Sequence, residues 1–220
     1  MQTMNRWLAG LLLIGIAGCN SQQNADDGMP DDRSTMTASD VDTRSDEAFK
    51  QALELAEEGD IHAVYMLGYY NYYGRGVEQD YAQAEKWYRK AGEQGHLGAQ
   101  IEIGEMYEGG HGVPRDYAEA LKWFRRAAER GNDSAQFWIG RMHLKGNGVP
   151  QDDVEAYAWL TLAASNGNVM ADFDLVIAEN RLSPKQLADG ENRVRELRNQ
   201  QIESPKGSRP MGSSTTEPGL

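Results

Sequence analysis

A fixed spacing constrains this chain more than any other feature. Ala63, Ala99, Ala135 and Ala171 fall thirty-six residues apart, as do Gly59, Gly95, Gly131 and Gly167. Three blocks superpose without a gap: AVYMLGYYNYYGRGVEQDYAQAEKWYRKAGEQGH, AQIEIGEMYEGGHGVPRDYAEALKWFRRAAERGN and AQFWIGRMHLKGNGVPQDDVEAYAWLTLAASNGN. Leu67, Ile103 and Ile139 share one column, and Gly68, Gly104 and Gly140 the next. Asp80, Asp116 and Asp152 share another, as do Trp87, Trp123 and Trp159. A period of this length marks a supersecondary unit that cannot bury its apolar face alone and stacks on copies of itself.

Each block reads as two helices. The first (helix A) starts near the shared Ala and ends at a Gly-x-Gly-Val turn. The second (helix B) is announced by Asp80, Asp116 or Asp152 as N-cap, with Gln83, Glu119 or Glu155 three residues on, the spacing of a reciprocal capping pair. Ala84, Trp87, Tyr88 and Ala91 then follow at i, i+3, i+4, i+7, an amphipathic helical face. Gly95, Gly131 and Gly167 end helix B as left-handed C′ residues. Gly68 and its equivalents fall inside helix A, where Gly costs about 1 kcal/mol relative to Ala. Recurring in one column, that cost points to a close helix approach. Ser183-Pro184-Lys185-Gln186 opens a last helix with a cap, Pro at its first position and Gln at its third.

The pattern A-x3-LG-x5-G-x-GV-x2-D-x3-A-x2-W-x3-A-x3-G resembles the Sel1-like repeat family, a branch of the tetratricopeptide-like solenoids. The resemblance covers residues 63 to 170. It implies an all-α, right-handed solenoid of helix-turn-helix units with capping helices at both ends. The expected organisation is a signal peptide over 1–18, a tether over 19–44, a capping helix over 45–62, repeats over 63–98, 99–134 and 135–170, a partial repeat with capping helix over 171–200, and an unstructured tail over 201–220.

Residues 65 to 73 hold five of the ten tyrosines of the chain. With Leu67 taken as the core direction and about 100° per residue, Tyr70 falls on the buried side, whereas Tyr65, Tyr69, Tyr72 and Tyr73 share an opposite arc with His62. In solenoids of the resembled kind, that side of helix A lines the concave groove. The same arc holds Ile101, Glu105 and Glu108 in the second block, and Phe137, Arg141, Leu144 and Lys145 in the third. These twelve residues are the expected partner-binding face, since tyrosine offers wide contact area, few rotatable bonds and a polar tip. The competing reading is that the rings pack against a neighbouring unit or the first capping helix.

The N-terminus carries different information. Leu8 to Ala17 is an apolar run of about 15 Å as helix, half the thickness of a bilayer core, and suits a secretory signal. Ile16-Ala17-Gly18-Cys19 resembles a bacterial lipobox, which implies acylation of Cys19. Cys19 is also the single cysteine of the chain, so it has no intrachain disulfide partner. The resemblance, with Asn20 after the Cys, implies a lipid anchor in the outer membrane facing the periplasm, or else on the outer face of an inner or sole membrane. The polar, acidic stretch up to Arg44 cannot bury enough surface to offset its ordering entropy. As a flexible coil it spans about 28 Å.

Twenty-two Lys and Arg against 34 Asp and Glu leave a formal charge of −12, which disfavours nucleic acid as a partner. The Gly-x-Gly-Val turns lack the Gly-Lys-Ser/Thr of a phosphate loop, and neither a Gly-x-Ser-x-Gly elbow nor a His-Glu-x-x-His pair occurs. The four histidines have no metal-like spacing. Cysteine-rich relatives of the resembled family, linked to penicillin binding, carry a disulfide in each repeat, and these repeats contain no Cys. The expectation is therefore a chain without catalysis, cofactor or metal. The resemblance implies a membrane-anchored adaptor for another cell-envelope protein, with peptidoglycan or exopolysaccharide binding through the tyrosine floor as the alternative.

Overall fold

The computed structural model describes residues 38–203, and side chains over 44–200. Cys19, the apolar run before it and most of the tether lie outside the described residues. All regular elements described are helical: α1 (Ala38–Glu57), α2 (Ile61–Tyr73), α3 (Tyr81–Glu93), α4 (Leu97–Gly109), α5 (Tyr117–Ala128), α6 (Asp133–Lys145), α7 (Asp153–Ser165), α8 (Val169–Arg181) and α9 (Pro184–Glu203). Among these, no helix is long and apolar enough to cross a membrane. Helices α2, α4, α6 and α8 are the A helices of successive units, and α3, α5 and α7 are the B helices.

Local chemistry sets the ends of each helix. Asp80, Asp116 and Asp152 sit in extended backbone and accept from the second and third amides of their helices at 2.9–3.0 Å. The reciprocal half of the capping pair does not form. Each Asp amide already donates to the preceding A helix, at Asn71, Tyr107 and His143 carbonyls. Glu119 and Glu155 turn instead to Lys122 and Arg193. The A helices have caps of their own that the periodicity did not single out: Asp60, His96, Asn132 and Asn168. Gly95, Gly131 and Gly167 take positive φ, as the C′ position requires. At Ser183 the capping box forms in full, with Gln186 Oε1 accepting from the Ser183 amide and hydroxyl.

Packing follows the repeat. Leu67, Ile103 and Ile139 are fully buried between the helices of their units, with Ala84, Ala120 and Ala156 opposite. The mid-helix glycines admit a ring or branched chain from the facing B helix: a Cβ on Gly104 would lie 2.5 Å from Phe124, and one on Gly140 2.7 Å from Leu160. The A helices α2 and α4 approach each other directly, as do α6 and α8, more extensively than any two of the B helices α3, α5 and α7. The A helices therefore form the inner wall of the stack.

Two boundaries differ from expectation. Helix α1 begins at Ala38, within the stretch read as tether, because packing of Phe49, Ala52 and Ala56 against α2 nucleates a helix that then extends at the modest cost of one residue per added bond. Helix α9 continues to Glu203, past the expected start of the tail. It also does not pair with α8 as a B helix would. Only Leu182 and Ser183 separate the two, and α9 crosses α7 instead. There Val194 and Leu197 are buried, and Arg193 reaches Glu155 at 2.6 Å.

Candidate functional site: the inner wall of A helices

The tyrosine-rich face of α2 divides into two layers. Tyr70 belongs to the interior side, edge-on to Phe49 of α1 with ring centres 6.1 Å apart. Tyr65 lies across the unit boundary, its ring stacked on His96 at 4.4 Å and near Tyr88 at 5.7 Å. Tyr72 likewise reaches outward, perpendicular to Tyr81, with its hydroxyl 2.9 Å from Nδ1 of His111. These two rings are half-buried and cement the first unit to the second. Tyr69 and Tyr73 form the outer layer, 4.6 Å apart, with the Arg75 guanidinium over both rings. Tyr73 is 50% exposed and is the most open ring of the group. Of the four tyrosines on the shared arc, Tyr65 and Tyr72 reach the second unit, Tyr69 is half-buried beneath Arg75 and beside Tyr70, and Tyr73 alone is exposed.

His62 is exposed and points its Nδ1 at Nε2 of His96, 3.3 Å away. His96 caps α4 by accepting the Ala99 amide on Nδ1 at 3.1 Å. Burial holds its ring below the ordinary imidazole range, and proximity of His62 adds to this. An imidazole that accepts an amide at a helix N-terminus is needed in its neutral form. The histidines nevertheless make no metal cluster among the described residues.

On α4 the wall turns acidic. Ile101 is half-buried against the core that α5 and α6 share. Glu105 accepts from Trp138 Nε1 at 2.8 Å, a bond between the second and third units. Burial raises its pKa, and the Trp138 bond partly opposes the rise. Glu102, one residue beyond the expected arc, has the larger perturbation: burial and then the charge of Glu105 push it up to about 7. Burial also raises Tyr65, Tyr72 and Tyr73, with the neighbouring tyrosines and Glu102 adding to it. Glu108 lies half-buried at the end of the row.

The third unit departs most from expectation. Phe137 and Leu144 are each only 5% exposed, and neither is available to a partner. Helix α8 lies over this part of α6 and encloses both in the core shared with α7. Arg141 is half-buried over Phe137 and Trp138 and faces Asp174 of α8 at 4.0 Å. Lys145 remains exposed at the helix end. Trp138, Glu102, Arg75 and His96 are the wall residues that the arc did not include. The thirty-six-residue register offered a signal for Glu102 and Trp138, which share one column. Nothing local marked Arg75 or His96.

The wall therefore offers an aromatic patch with a guanidinium beside an acidic row, and no arrangement of nucleophile, base and oxyanion donors. A model of the Sel1 repeat matches residues 61–96, 98–132 and 133–168. No curated protein matches the chain significantly. Among solved structures, the chain is similar to a protective antigen of uropathogenic Escherichia coli described as displaying an SLR fold, with 30% identity and a TM-score of 0.63. That match covers 77% of this chain and 38% of the antigen, so this chain spans well under half of its length. A Sel1 repeat protein from Oxalobacter formigenes is 37% identical with a TM-score of 0.53, over 57% of this chain and 95% of the other.

Proposed function

Because the chain belongs to the Sel1 repeat family, whose members generally act as scaffolds for protein–protein interaction without catalysis, we propose that it is an envelope adaptor that docks another cell-envelope protein on the inner wall of its A helices. The observation that carries this reading is the outer aromatic layer. Tyr69 and Tyr73 lie side by side under Arg75 and are not needed to seal the first unit against the second, a task that falls to Tyr65 and Tyr72. Aromatic and arginine side chains of this kind anchor interfaces. The acidic row of Glu102, Glu105 and Glu108 beside it favours a partner segment with basic residues.

Attachment to the membrane completes the proposal. Lipid on Cys19 would hold the solenoid at the periplasmic face of the outer membrane, with acyl chains contributing about 0.8 kcal/mol per buried CH₂. Two experiments test the two parts separately. Tyr69→Ala with Tyr73→Ala should abolish recovery of the crosslinked envelope partner from intact cells, with the melting temperature unchanged to within a few degrees. Loss of co-sedimentation with purified sacculi in place of a protein band would replace the protein partner with wall polymer. Cys19→Ser should move the chain from the membrane to the soluble fraction, and retention on the membrane would refute lipidation.

A further inference from the structure

The fourth unit is incomplete, and its missing half leaves a shaped vacancy. Helix α8 continues the A-helix register, so each of its positions has three equivalents. In those units Leu67, Ile103 and Ile139 are fully buried, yet Leu175 in the same column is only half-buried. Val64, Gln100 and Gln136 are buried, yet Asp172 is exposed. The column of Gly68, Gly104 and Gly140, which beds each unit's own B helix, holds Val176, and Val176 is 55% exposed. Every difference has one cause. Helix α9, which follows after two residues, packs on α7 and leaves this face of α8 uncovered.

Next to Val176, which is 55% exposed, the side of α8 that a following A helix would cover is open as well: Phe173, the equivalent of the enclosed Phe137, is 74% exposed, and Val169 and Met170 are 80 and 63% exposed, so one apolar strip spans the places of both absent neighbours. The opposite end of the stack differs: α1 caps it and presents Lys50, Gln51, Glu54 and Glu57 to solvent. Asp172 and Glu179 border the apolar strip, both exposed and in no ion pair among the described residues. Two copies of this chain meeting here would oppose those carboxylates, each copy carrying a formal charge of −12.

We propose that this face receives a helix of another protein, 12 or 13 residues long like α3, α5 and α7, with an apolar stripe and Lys or Arg flanking it. The helix covers the strip from outside, between the places of the fourth unit's B helix and of a following A helix. Because Val176 stands where the other units have Gly, the guest helix sits farther out than the chain's own B helices. This surface lies three units along the stack from Tyr69 and Tyr73, and its test does not depend on them.

The probe is a labelled peptide of the α5 sequence, DYAEALKWFRRAAERG (residues 116–131), which carries Ala120, Trp123, Phe124 and Ala127 on one stripe and four basic residues around it. Fluorescence polarisation with the purified full chain should show saturable binding, weakened at least tenfold by Phe173→Asp with Val176→Asp and several-fold by Asp172→Asn with Glu179→Gln. Tyr69→Ala with Tyr73→Ala should leave it unchanged, so loss of the tyrosine-wall reading would not affect this one. Both α8 substitutions are at exposed positions, and circular dichroism checks that the variants stay folded. No binding, or equal binding by the Phe173/Val176 variant, overturns the proposal. So does a dimer in sedimentation equilibrium that the same variant dissolves, which would assign the face to a second copy.

Discussion

Replacing Gly104 with alanine sets two effects of known sign against each other. Helix propensity alone favours Ala over Gly by about 1 kcal/mol in a helix interior. Against it, the new methyl would lie 2.5, 2.8 and 2.9 Å from three ring atoms of Phe124. Ordinary carbon contacts are about 3.5–4.0 Å, so the ring has to retreat by roughly an ångström. It has little room to do so: Phe124 is fully buried and lies flat on Trp138, with ring centres 5.5 Å apart and planes 4° from parallel. Trp138 is in turn held by Glu105 at 2.8 Å. Overpacking of a core costs about 1–3 kcal/mol, and the upper end applies where neither ring can move. The net expectation is a loss of about 2 kcal/mol, read by urea denaturation followed through both circular dichroism and tryptophan fluorescence. Gly131→Ala is the control, since no atom lies within 4 Å and only its φ of +81° opposes the change, at about 1–2 kcal/mol. A Gly104→Ala variant more stable than the wild type would refute the close approach of α4 and α5.

Further outcomes follow from the same wall. Glu102 is held at about 7, above its ordinary 4.5, so its contribution to stability is complete below pH 4.5 and is lost as pH rises through 7. Glu102→Gln should therefore melt higher than the wild type at pH 8, with the gap closing by pH 4.5 in calorimetric scans; a constant gap would remove the titration argument. His96 has the opposite sign: its folded pKa lies below 6.5, so stability is present above that value and lost as pH falls below it. His96→Asn, which restores the kind of cap seen at Asn132 and Asn168, should erase that acid loss, so that between about pH 7.5 and 5.5 its melting temperature falls less than that of the wild type, even though stacking on Tyr65 is lost at both values. Gly190→Leu should unseat α9, because even a Cβ there would meet Tyr157 at 2.6 Å, and faster hydrogen exchange in α9 than in α3 would register it.

The periodic sequence by itself determined the repeating unit, its two helices, the Asp caps, the left-handed glycines and the column of close approach. Each of these rests on residues within one or two turns of each other, or on a column that recurs at a constant offset. Tertiary structure decided what each exposed-looking position touches. Tyr65 and Tyr73 lie on one arc of one helix, but His96 of the next unit comes to cover the first, whereas the second meets only neighbours from its own unit and stays half exposed. Phe137 and Leu144 share the arc of Tyr65 and Tyr72 and are enclosed because α8 lies over them, while their equivalents Phe173 and Asn180 on α8 are exposed because no helix among the described residues lies over them. The capping pair at Asp80 stayed half-formed for the same kind of reason: its amide was claimed by a carbonyl nine residues back in the preceding helix. Angular position on a helix is a local property. Burial depends on a neighbour that arrives from some thirty-six residues away, or from a chain end that turns elsewhere.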